Sequence, residues 1–247
     1  MSAADKLGIL GGIAWSSTVD YYAGLCRLAE ADPRRQGPGL PRMPEIAIES
    51  LNLAKAFSLL GTDDDDDSWS AFDAYHREAL LRLERAGATV GIMAANTPHH
   101  RFGQITRGVR LRMVNLFELL AQTARREGFN RVTIMGTETT MRSGVLLEAF
   151  AAQGITARFP ERDIQRGIIE LLHAIHSGHA DGATGRFLEL AARDRSQSTA
   201  DCIALACTEL PALFPAEAKA EIFESGGVVY MDSLRVHVAG AYASLSV

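Results

Sequence analysis

The segment Cys202-Ile203-Ala204-Leu205-Ala206-Cys207-Thr208-Glu209-Leu210-Pro211 decides the fold class. Its apolar run stops abruptly at a short polar loop, which is the pattern of a buried parallel strand and the loop that follows it. The same pattern occurs earlier, at Met93-Ala94-Ala95-Asn96-Thr97-Pro98. When the two segments are superimposed, Ala95 takes the position of Cys207. The chain therefore contains two similar strand ends, of which only one carries a thiol.

Apolar strands alternate with helical stretches throughout the 247 residues. This alternation predicts βα units, and hence an α/β fold with mostly parallel sheets flanked by helices. The predicted strands cover residues 7–10, 45–48, 90–94, 113–115, 131–135, 156–159, 202–206 and 228–231. The predicted helices cover residues 18–31, 70–86, 116–127, 142–153, 164–177 and 233–245.

A second internal match indicates that the chain repeats itself. Gly11-Gly12-Ile13-Ala14-Trp15-Ser16-Ser17 follows the first strand, and Gly136-Thr137-Glu138-Thr139-Thr140 follows the strand near residue 133. We therefore predict two similar α/β halves with an active-site cleft between them, residues 1–115 plus 215–247 forming one and residues 116–214 the other. Ligands of such sheets bind beyond the carboxyl ends of the strands, where all four loops fall.

Composition excludes several classes of function. A net charge of −5 with no basic patch argues against nucleic-acid and anionic-membrane partners. No apolar run approaches the ~20 residues that span a bilayer, and the N-terminus lacks the order of a signal peptide, so we expect a cytoplasmic protein. Three cysteines without a CxxC pair argue against a disulfide framework or a zinc site. The absence of GxGxxG and of a P-loop lysine argues against a nucleotide cofactor.

Cys207 is the first candidate for chemistry. Free backbone N–H groups at the turn after a strand lower the pKa of a thiol and can hold a carboxylate or enolate oxygen. Thr208 and Glu209 follow directly, and Glu209 can orient Thr208, act as an acid or satisfy the turn. The alternative interpretation of Cys207 is a buried thiol acting as a small apolar side chain. We favour a functional role, because the next residues are polar and the match to the earlier loop is positional. An odd separation along the strand places Cys202 on the opposite face from Cys207.

The earlier loop offers Asn96, Thr97 and His99. Asn96 and Thr97 can donate to a carboxylate, although both also fit helix capping after Pro98. His99 is the titratable group nearest to the position of the missing thiol, although an exposed helical histidine is the commoner outcome.

Further ligand-binding candidates lie on other loops. Gly12 and Ser16 belong to a loop whose N–H groups can hold an anion. Thr137, Thr139 and Thr140 form a similar loop that also reads as a helix cap. Arg42 is a candidate partner for a side-chain carboxylate, although most loop arginines are simply solvated. The five aspartates at 63–67 read as a solvated loop rather than a metal site, because no liganding rhythm is present.

Taken together, these motifs resemble the aspartate/glutamate racemase family of cofactor-independent amino-acid racemases, almost from end to end. The family's first catalytic loop, Cys-Asn-Thr-x-His, is similar to Ala95–His99, and its Gly-Cys-Thr-Glu-Leu is similar to 206–210. Its opening Gly-Gly loop, its middle Gly-Thr-x-x-Thr-Met and its closing Asp-(Ser/Thr)-x-x-x-His are similar to 11–18, 136–141 and 232–237. The resemblance implies no cofactor, an acidic amino-acid substrate and a homodimer.

The departure from the family concerns the two bases that face the α-carbon. In the family these are usually two thiols, sometimes a Thr and a Cys. Both positions before Asn96 are alanines here, and Ala95, which replaces the first Cys, cannot transfer a proton. Three hypotheses remain open. The first is a racemase or epimerase with Cys207 and an unconventional second group, namely His99, Thr97 or a held water. The others are a one-cysteine decarboxylase or isomerase of a dicarboxylic acid, and a non-catalytic relative that binds an amino acid.

Overall fold

The strands form two separate sheets in the computed structural model, which describes residues 5–37, 39–62, 65–215, 218 and 220–246. The strands are β1 (Lys6–Gly11), β2 (Glu45–Ser50), β3 (Val90–Met93), β4 (Arg112–Met113), β5 (Arg131–Gly136), β6 (Thr156–Arg158), β7 (Cys202–Ala206), β8 (Ile222–Ser225) and β9 (Val228–Asp232). All paired strands are parallel except β8 and β9. The prediction of an α/β fold with mostly parallel sheets flanked by helices is confirmed.

Helices connect the strands and cover both faces of each sheet. They are α1 (Trp15–Ala31), α2 (Leu53–Ser58), α3 (Ser70–Arg85), α4 (Phe102–Ile105), α5 (Leu116–Arg126), α6 (Gly144–Ala152), α7 (Arg162–His176), α8 (Ala183–Gln197) and α9 (Ser233–Ala243). In the described part of the chain, no helix combines the length and the apolar character needed to cross a membrane.

The two sheets share one topology. Their strand orders are β2-β1-β3-β4 and β6-β5-β7-β9-β8, so β5, β6, β7 and β9 take the places of β1, β2, β3 and β4. The segments before Ala95 and Cys207 are therefore the third strand of each sheet. The internal match found in the sequence thus corresponds to equivalent positions in the two folds.

The chain divides into two compact units. Unit 1 comprises residues 1–115 and 237–247, and unit 2 comprises residues 116–236. Residues 222–232, which our sequence-based division assigned to the first half, form β8 and β9 in the sheet of unit 2. The division into halves with a cleft between them stays a prediction.

The core of unit 2 shows why Cys202 and Cys207 differ. Cys202 packs with Ala204 and Ala206 against α5 and α6. Cys207 packs with Leu205 on the other face, against the apolar residues of α7 and α8. The alternation of side chains along β7 therefore separates the two thiols.

The sequence-based interpretation missed three elements. Strand β8 is joined to β9 by Gly226-Gly227, both with positive φ, which is a two-residue hairpin signal that we overlooked. Helix α8 starts after Gly182, which has a left-handed conformation and gives no side-chain cap. Helix α2 has only six residues, too few to show a helical period.

The run of aspartates at 63–67 lies partly outside the described residues, since Asp63 and Asp64 are not described. The Asp65 carboxylate accepts from the backbone N–H groups of Asp67 and Ser68, and so caps a short 3₁₀ turn. Asp66 pairs with Arg101. The carboxylates of Asp65 and Asp66 therefore have structural partners.

We predict that Gly136→Ala destabilises unit 2. A Cβ at this position would lie 2.6 Å from the backbone oxygen of Ala206, so the end of β5 or of β7 would have to move. The expected loss is about 1–3 kcal/mol in the free energy of unfolding, measured by urea denaturation. Gly144→Ala is the matched control, because nothing lies within 4 Å of its added methyl group. Equal stabilities of the two variants would contradict the prediction.

Candidate active site

Cys207 is the residue that directly follows β7, and its side chain is buried. Its Sγ lies 2.8 Å from Oε2 of Glu209, and the Thr208 hydroxyl lies 3.1 Å from the same oxygen. Because a carboxylate oxygen only accepts, both the thiol and the hydroxyl donate to it. The sequence Cys-Thr-Glu thus folds into a turn that gathers three polar side chains around one oxygen.

Burial and charge keep this thiol protonated. Desolvation raises the pKa of Cys207 well above its usual value, and the negative charge of Glu209 raises it further. The backbone N–H groups of Glu209 and Leu210 act in the opposite direction, because they stabilise the thiolate. The resting form is therefore a thiol that is ready to donate a proton, with an adjacent carboxylate that can receive one.

The loop after β5 lies beside Cys207. Gly136 pairs with Ala206 in the sheet, so the residues that follow these two strands are neighbours at its carboxyl edge. The hydroxyl groups of Thr137 and Thr140 lie 3.0 Å apart, and the Thr137 hydroxyl also accepts from the Thr140 N–H at 3.3 Å. Thr139, which lies between these two residues in the sequence, is half-buried. The loop is a capped turn whose hydroxyl groups lie on the same edge as the thiol.

In unit 1, the loop after β1 is held by backbone geometry. Gly12 has φ 86°, and its N–H donates to the Thr18 hydroxyl at 2.9 Å. A Cβ at Gly12 would lie 2.2 Å from the backbone oxygen of Leu51, so only glycine fits here. Ala14 has φ 149°, a conformation that costs free energy in a residue with a Cβ. Ser16 is exposed in the first turn of α1.

The loop after β3 carries the position that matches Cys207. Ala95 and Asn96 are buried, and Thr97 is half-buried at the start of a 3₁₀ turn, Thr97–Arg101. The backbone oxygen of Asn96 accepts from the N–H of His99 at 3.0 Å. Ala95 offers only a methyl group, so Thr97 is the side chain of this loop with an accessible hydroxyl.

Two buried histidines lie beneath this loop. Nε2 of His99 lies 3.2 Å from the oxygen of Met93, which can only accept, so this nitrogen carries the hydrogen. The ring of His237 lies 5.1 Å from the ring of His99, edge to face. His237 joins the Tyr21 hydroxyl (2.9 Å from Nδ1) to the oxygen of Val114 (3.1 Å from Nε2). The pair therefore connects α1, α9 and the ends of β3 and β4.

The structure gathers the predicted site residues into two groups, one in each unit. At the edge of the sheet in unit 2 lie Thr137, Thr139, Thr140, Cys207, Thr208 and Glu209. At the equivalent edge in unit 1 lie Gly12, Ser16, Ala95, Asn96 and Thr97.

Two predicted site residues do not belong to these groups. His99 is fully buried under its loop rather than exposed on it. Arg42 precedes β2 and so lies at the amino edge of the sheet. The length of β2, roughly 20 Å, separates this edge from the candidate loops at the carboxyl edge. Its guanidinium donates to the backbone oxygen of Arg34 at 2.6 Å, and we remove it from the site on this ground.

Sequence analysis missed four residues that support the unit 1 loops: Thr18, Tyr21, Asn115 and His237. Thr18 and His237 lie within the motifs that we recognised, and their hydrogen-bond partners could not be read from the sequence. The Asn115 side chain hydrogen-bonds to His99. Tyr21 carries no motif, and only the fold brings it to His237.

The described residues of these loops form no metal site, and the cavity that the structure shows in unit 2 lies elsewhere. Among the described residues, no three His, Cys, Asp or Glu side chains gather as metal ligands. A cavity of about 530 Å³ in unit 2 is lined by the starts of β5 and β6, including Arg131 and Arg158. It lies at the amino edge of that sheet, away from Cys207, and its arginines pair with Asp201 and Asp194.

The buried histidines predict acid sensitivity. Burial lowers the pKa of His76, His100 and His237 to about 4, and that of His99 well below its usual value. In the unfolded chain these groups take up protons near pH 6.5, whereas in the folded chain His76, His100 and His237 take them up only near pH 4, and His99 at a pH well below 6.5. We therefore expect the free energy of unfolding to fall steadily from pH 6.5 to 4, by on the order of 2 kcal/mol for each of the three histidines whose pKa is lowered to about 4.

Urea denaturation at several pH values measures this loss. The His237→Gln variant keeps a polar side chain without the imidazole, so its stability should fall less over the same range of pH. A stability that is constant between pH 6.5 and 4.5 would contradict the prediction.

The chain resembles several solved structures over nearly its whole length. An aspartate racemase homologue from Pyrococcus horikoshii is 24% identical, with a TM-score of 0.75, over 97% of this chain and 98% of that one. A putative Asp/Glu racemase from Yersinia pestis is 21% identical, with a TM-score of 0.80 and the same coverage. A glutamate racemase from Aquifex pyrophilus is 16% identical, with a TM-score of 0.61, over 98% of this chain and 84% of that one. At these identities the likeness shows a common fold.

Sequence comparison with family models is more specific. The model of the Asp/Glu/Hydantoin racemase family matches residues 10–241, which include every loop described above. The resemblance that we read from the motifs is confirmed, and the chain belongs to the Asp/Glu/Hydantoin racemase family.

Proposed function

We propose that this chain is a cofactor-independent amino-acid racemase or epimerase in which Cys207 transfers the α-proton. The observation that carries the proposal is the buried thiol at the end of β7, bonded to Glu209 at 2.8 Å. Membership of a racemase family supports the class of reaction.

The thiol and the carboxylate together allow transfer in both directions. The electron pair of a carbanion at the α-carbon is delocalised into the substrate carboxylate. When this pair returns to the carbon it takes the proton of the Cys207 thiol, which leaves a thiolate. In the reverse direction, Glu209 accepts the thiol proton and the thiolate removes the α-hydrogen. The N–H groups of Glu209 and Leu210 stabilise the thiolate formed in that step.

Inversion also requires a second group on the opposite face of the α-carbon. Ala95 cannot supply it, and the Nε2 hydrogen of His99 is directed at the oxygen of Met93. We assign this role to Thr97, acting directly or through a water that its hydroxyl holds. His99 becomes a positioning residue, which fixes the loop through Met93 and Asn115.

A one-sided reaction is the second candidate. A protonated thiol on one side and the methyl group of Ala95 on the other suit the protonation of a carbanion on a single face. A decarboxylase or isomerase of a dicarboxylic acid needs only this step, and the methyl group would widen an apolar pocket. A non-catalytic relative that binds an amino acid is the third candidate, motivated by the missing thiol.

We propose an acidic amino acid as the substrate, in line with the aspartate and glutamate racemases among the similar structures. Gly12, Ser16, Asn96, Thr137, Thr139, Thr140 and Thr208 would hold its polar groups. We further propose that the protein is a cytoplasmic homodimer of amino-acid metabolism that needs neither a metal nor a cofactor.

The experiment that tests these candidates is incubation with separate L- and D-amino acids in deuterated water. Exchange of the α-hydrogen with inversion supports the racemase and shows that a second proton donor exists. Exchange with retention of one enantiomer supports the one-sided reaction. Thermal stabilisation by an amino acid without any exchange supports the binding protein and overturns the main proposal.

A further inference from the structure

The large apolar side chains that the structure leaves exposed are concentrated in unit 1. Among the described residues, Val145 is the exception, in unit 2. Trp15 is 73% exposed and Val19 is 55% exposed, both on α1. The members in unit 1 are Trp15, Val19, Tyr22, Leu40, Met43, Ile48, Leu53 and Phe57. Such a concentration on one unit marks an interaction surface rather than scattered single side chains.

The members on α1 form one stripe. Trp15, Val19 and Tyr22 are spaced by four and three residues, so they lie on one side of the helix, and Cys26 extends the stripe by a further turn. The interaction with the Cys26 thiol raises the pKa of the Tyr22 hydroxyl, as expected of neighbours on one side of the helix. Charged residues are absent from this stripe. It is therefore a continuous apolar ridge about three turns long.

The position of this ridge follows from the neighbours of α1. The buried residues Thr18, Tyr21, Leu25 and Ala29 face the sheet. A Cβ on Gly24 would contact Val238, so the flank of α1 that carries Gly24 faces α9. Viewed along the helix axis, the ridge is rotated by about 100° from the side that faces the sheet, in the direction opposite to Gly24. It therefore lies on the flank of α1 away from α9.

The other flank borders the edge strand. Helix α9 is fixed near β4, since His237 bonds to Val114 and the backbone oxygen of Ser244 accepts from Arg112. The sheet order is β2-β1-β3-β4, so the flank away from α9 is the flank towards β2. Ile48 pairs with the buried Ile9 and shares its face, yet it is half-exposed.

The edge strand itself extends the apolar surface. Ile46 and Ile48 occupy the α1 face of β2, while Ala47 packs with the α3 residues on the other face. Met43 precedes this strand and is exposed. The α1 ridge and the outer face of β2 thus form one surface, which we call the α1/β2 face: Trp15, Val19, Tyr22, Cys26, Met43, Ile46 and Ile48.

The α1 ridge within this face is symmetric about its own midpoint. Residues 15 and 26 are equidistant from the centre of the ridge, and so are residues 19 and 22. If a second α1 packed antiparallel across a two-fold axis, Trp15 of each copy would contact Cys26 of the other. Val19 of each copy would likewise contact Tyr22 of the other. An isologous interface requires this kind of self-complementarity. The exposed apolar area is on the order of 500 Å² per chain, a large part of the ~800 Å² per partner of a standard interface.

We infer that the α1/β2 face binds a second copy of this chain, with the two α1 helices antiparallel across a two-fold axis. The proposal goes beyond the expectation of a homodimer, because it assigns the surface and the register. It also links assembly to the first binding loop. Trp15 lies on the face and directly follows the strained Ala14, so association would fix the loop that starts at Gly12.

The test is the oligomeric state of charge variants, measured by sedimentation velocity over a range of concentrations. The wild type is expected to be a dimer. Val19→Glu places two buried carboxylates in the interface and is expected to weaken association by about 100-fold or more. Val145→Glu is the matched control, since Val145 is 45% exposed and lies in unit 2. It is expected to remain a dimer.

A double variant tests the register. Val19→Glu with Tyr22→Lys would place each new carboxylate opposite a new ammonium group of the other copy, so association should recover. Val19→Lys with Tyr22→Lys should remain monomeric. A monomeric wild type, or a dimer that Val19→Glu leaves intact, would overturn the proposal. Loss of association without recovery in the first double variant would overturn the register.

Circular dichroism and thermal unfolding of each variant show whether the fold is kept. Hydrogen exchange supplies an independent measurement on the wild type, because protection of α1 and β2 should rise with concentration. A protection pattern that is independent of concentration in a dimer would place the interface elsewhere. None of these measurements uses activity, so a failure of the proposed reaction leaves the test unaffected.

Discussion

Cys207→Ala is expected to abolish exchange of the substrate α-hydrogen, with a loss of about 10³-fold or more. The thiol is the group that we assign to deliver the proton, and it donates a hydrogen bond to the Glu209 carboxylate. Its removal leaves the carboxylate and the N–H groups of the turn in place. Binding should therefore survive, and the measurement is deuterium incorporation together with calorimetric titration of the substrate.

Cys202→Ala is the control for this prediction. Cys202 is buried on the same strand, but it packs against α5 and α6 on the opposite face of the sheet. Its loss should lower stability moderately and leave exchange almost unchanged. If the Cys207→Ala protein retained exchange at the wild-type rate, the thiol would have no part in the reaction.

The fold could be predicted because its elements have local signals. Strand β7 is a buried apolar run that ends at a polar loop, and α3 ends where Gly87 follows with positive φ. Elements without such signals, such as α2, were not predicted from the sequence. The hairpin of β8 and β9 did carry a signal, Gly226-Gly227, and only its interpretation was missing.

The site could be predicted as positions but not as contacts. The match between Ala95 and Cys207 follows from sequence, because both follow the third strand of a sheet. The burial of His99 depends on His237, 138 positions further along the chain, and no local pattern reports that contact. Arg42 was placed in the site by residue type alone, whereas the direction of β2 puts it at the other edge.

Ala95→Cys is expected to convert a one-sided or weakly inverting enzyme into an efficient racemase. The substitution restores the thiol that the family pattern has at this position, at the cost of one added sulfur atom. General acid–base catalysis by a placed group contributes 10²–10⁴-fold, so we expect inversion to rise about 100-fold. The measurement is the ratio of inversion to exchange in deuterated water, followed by chiral chromatography.

Two further variants make this result specific. Ala94→Cys adds a thiol one residue earlier, where the side chain points away from the cluster of Met93 and Ala95, so it should not raise inversion. Because Ala94 is buried, some loss of stability is expected. Ala95→Cys combined with Cys207→Ala should lose inversion again, because the proposed reaction needs a proton-transferring group for each face of the α-carbon. If Ala95→Cys folds normally and the stereochemical outcome stays the same, position 95 does not face the substrate. In that case the proton opposite Cys207 must come from elsewhere, and Thr97 becomes the next residue to replace.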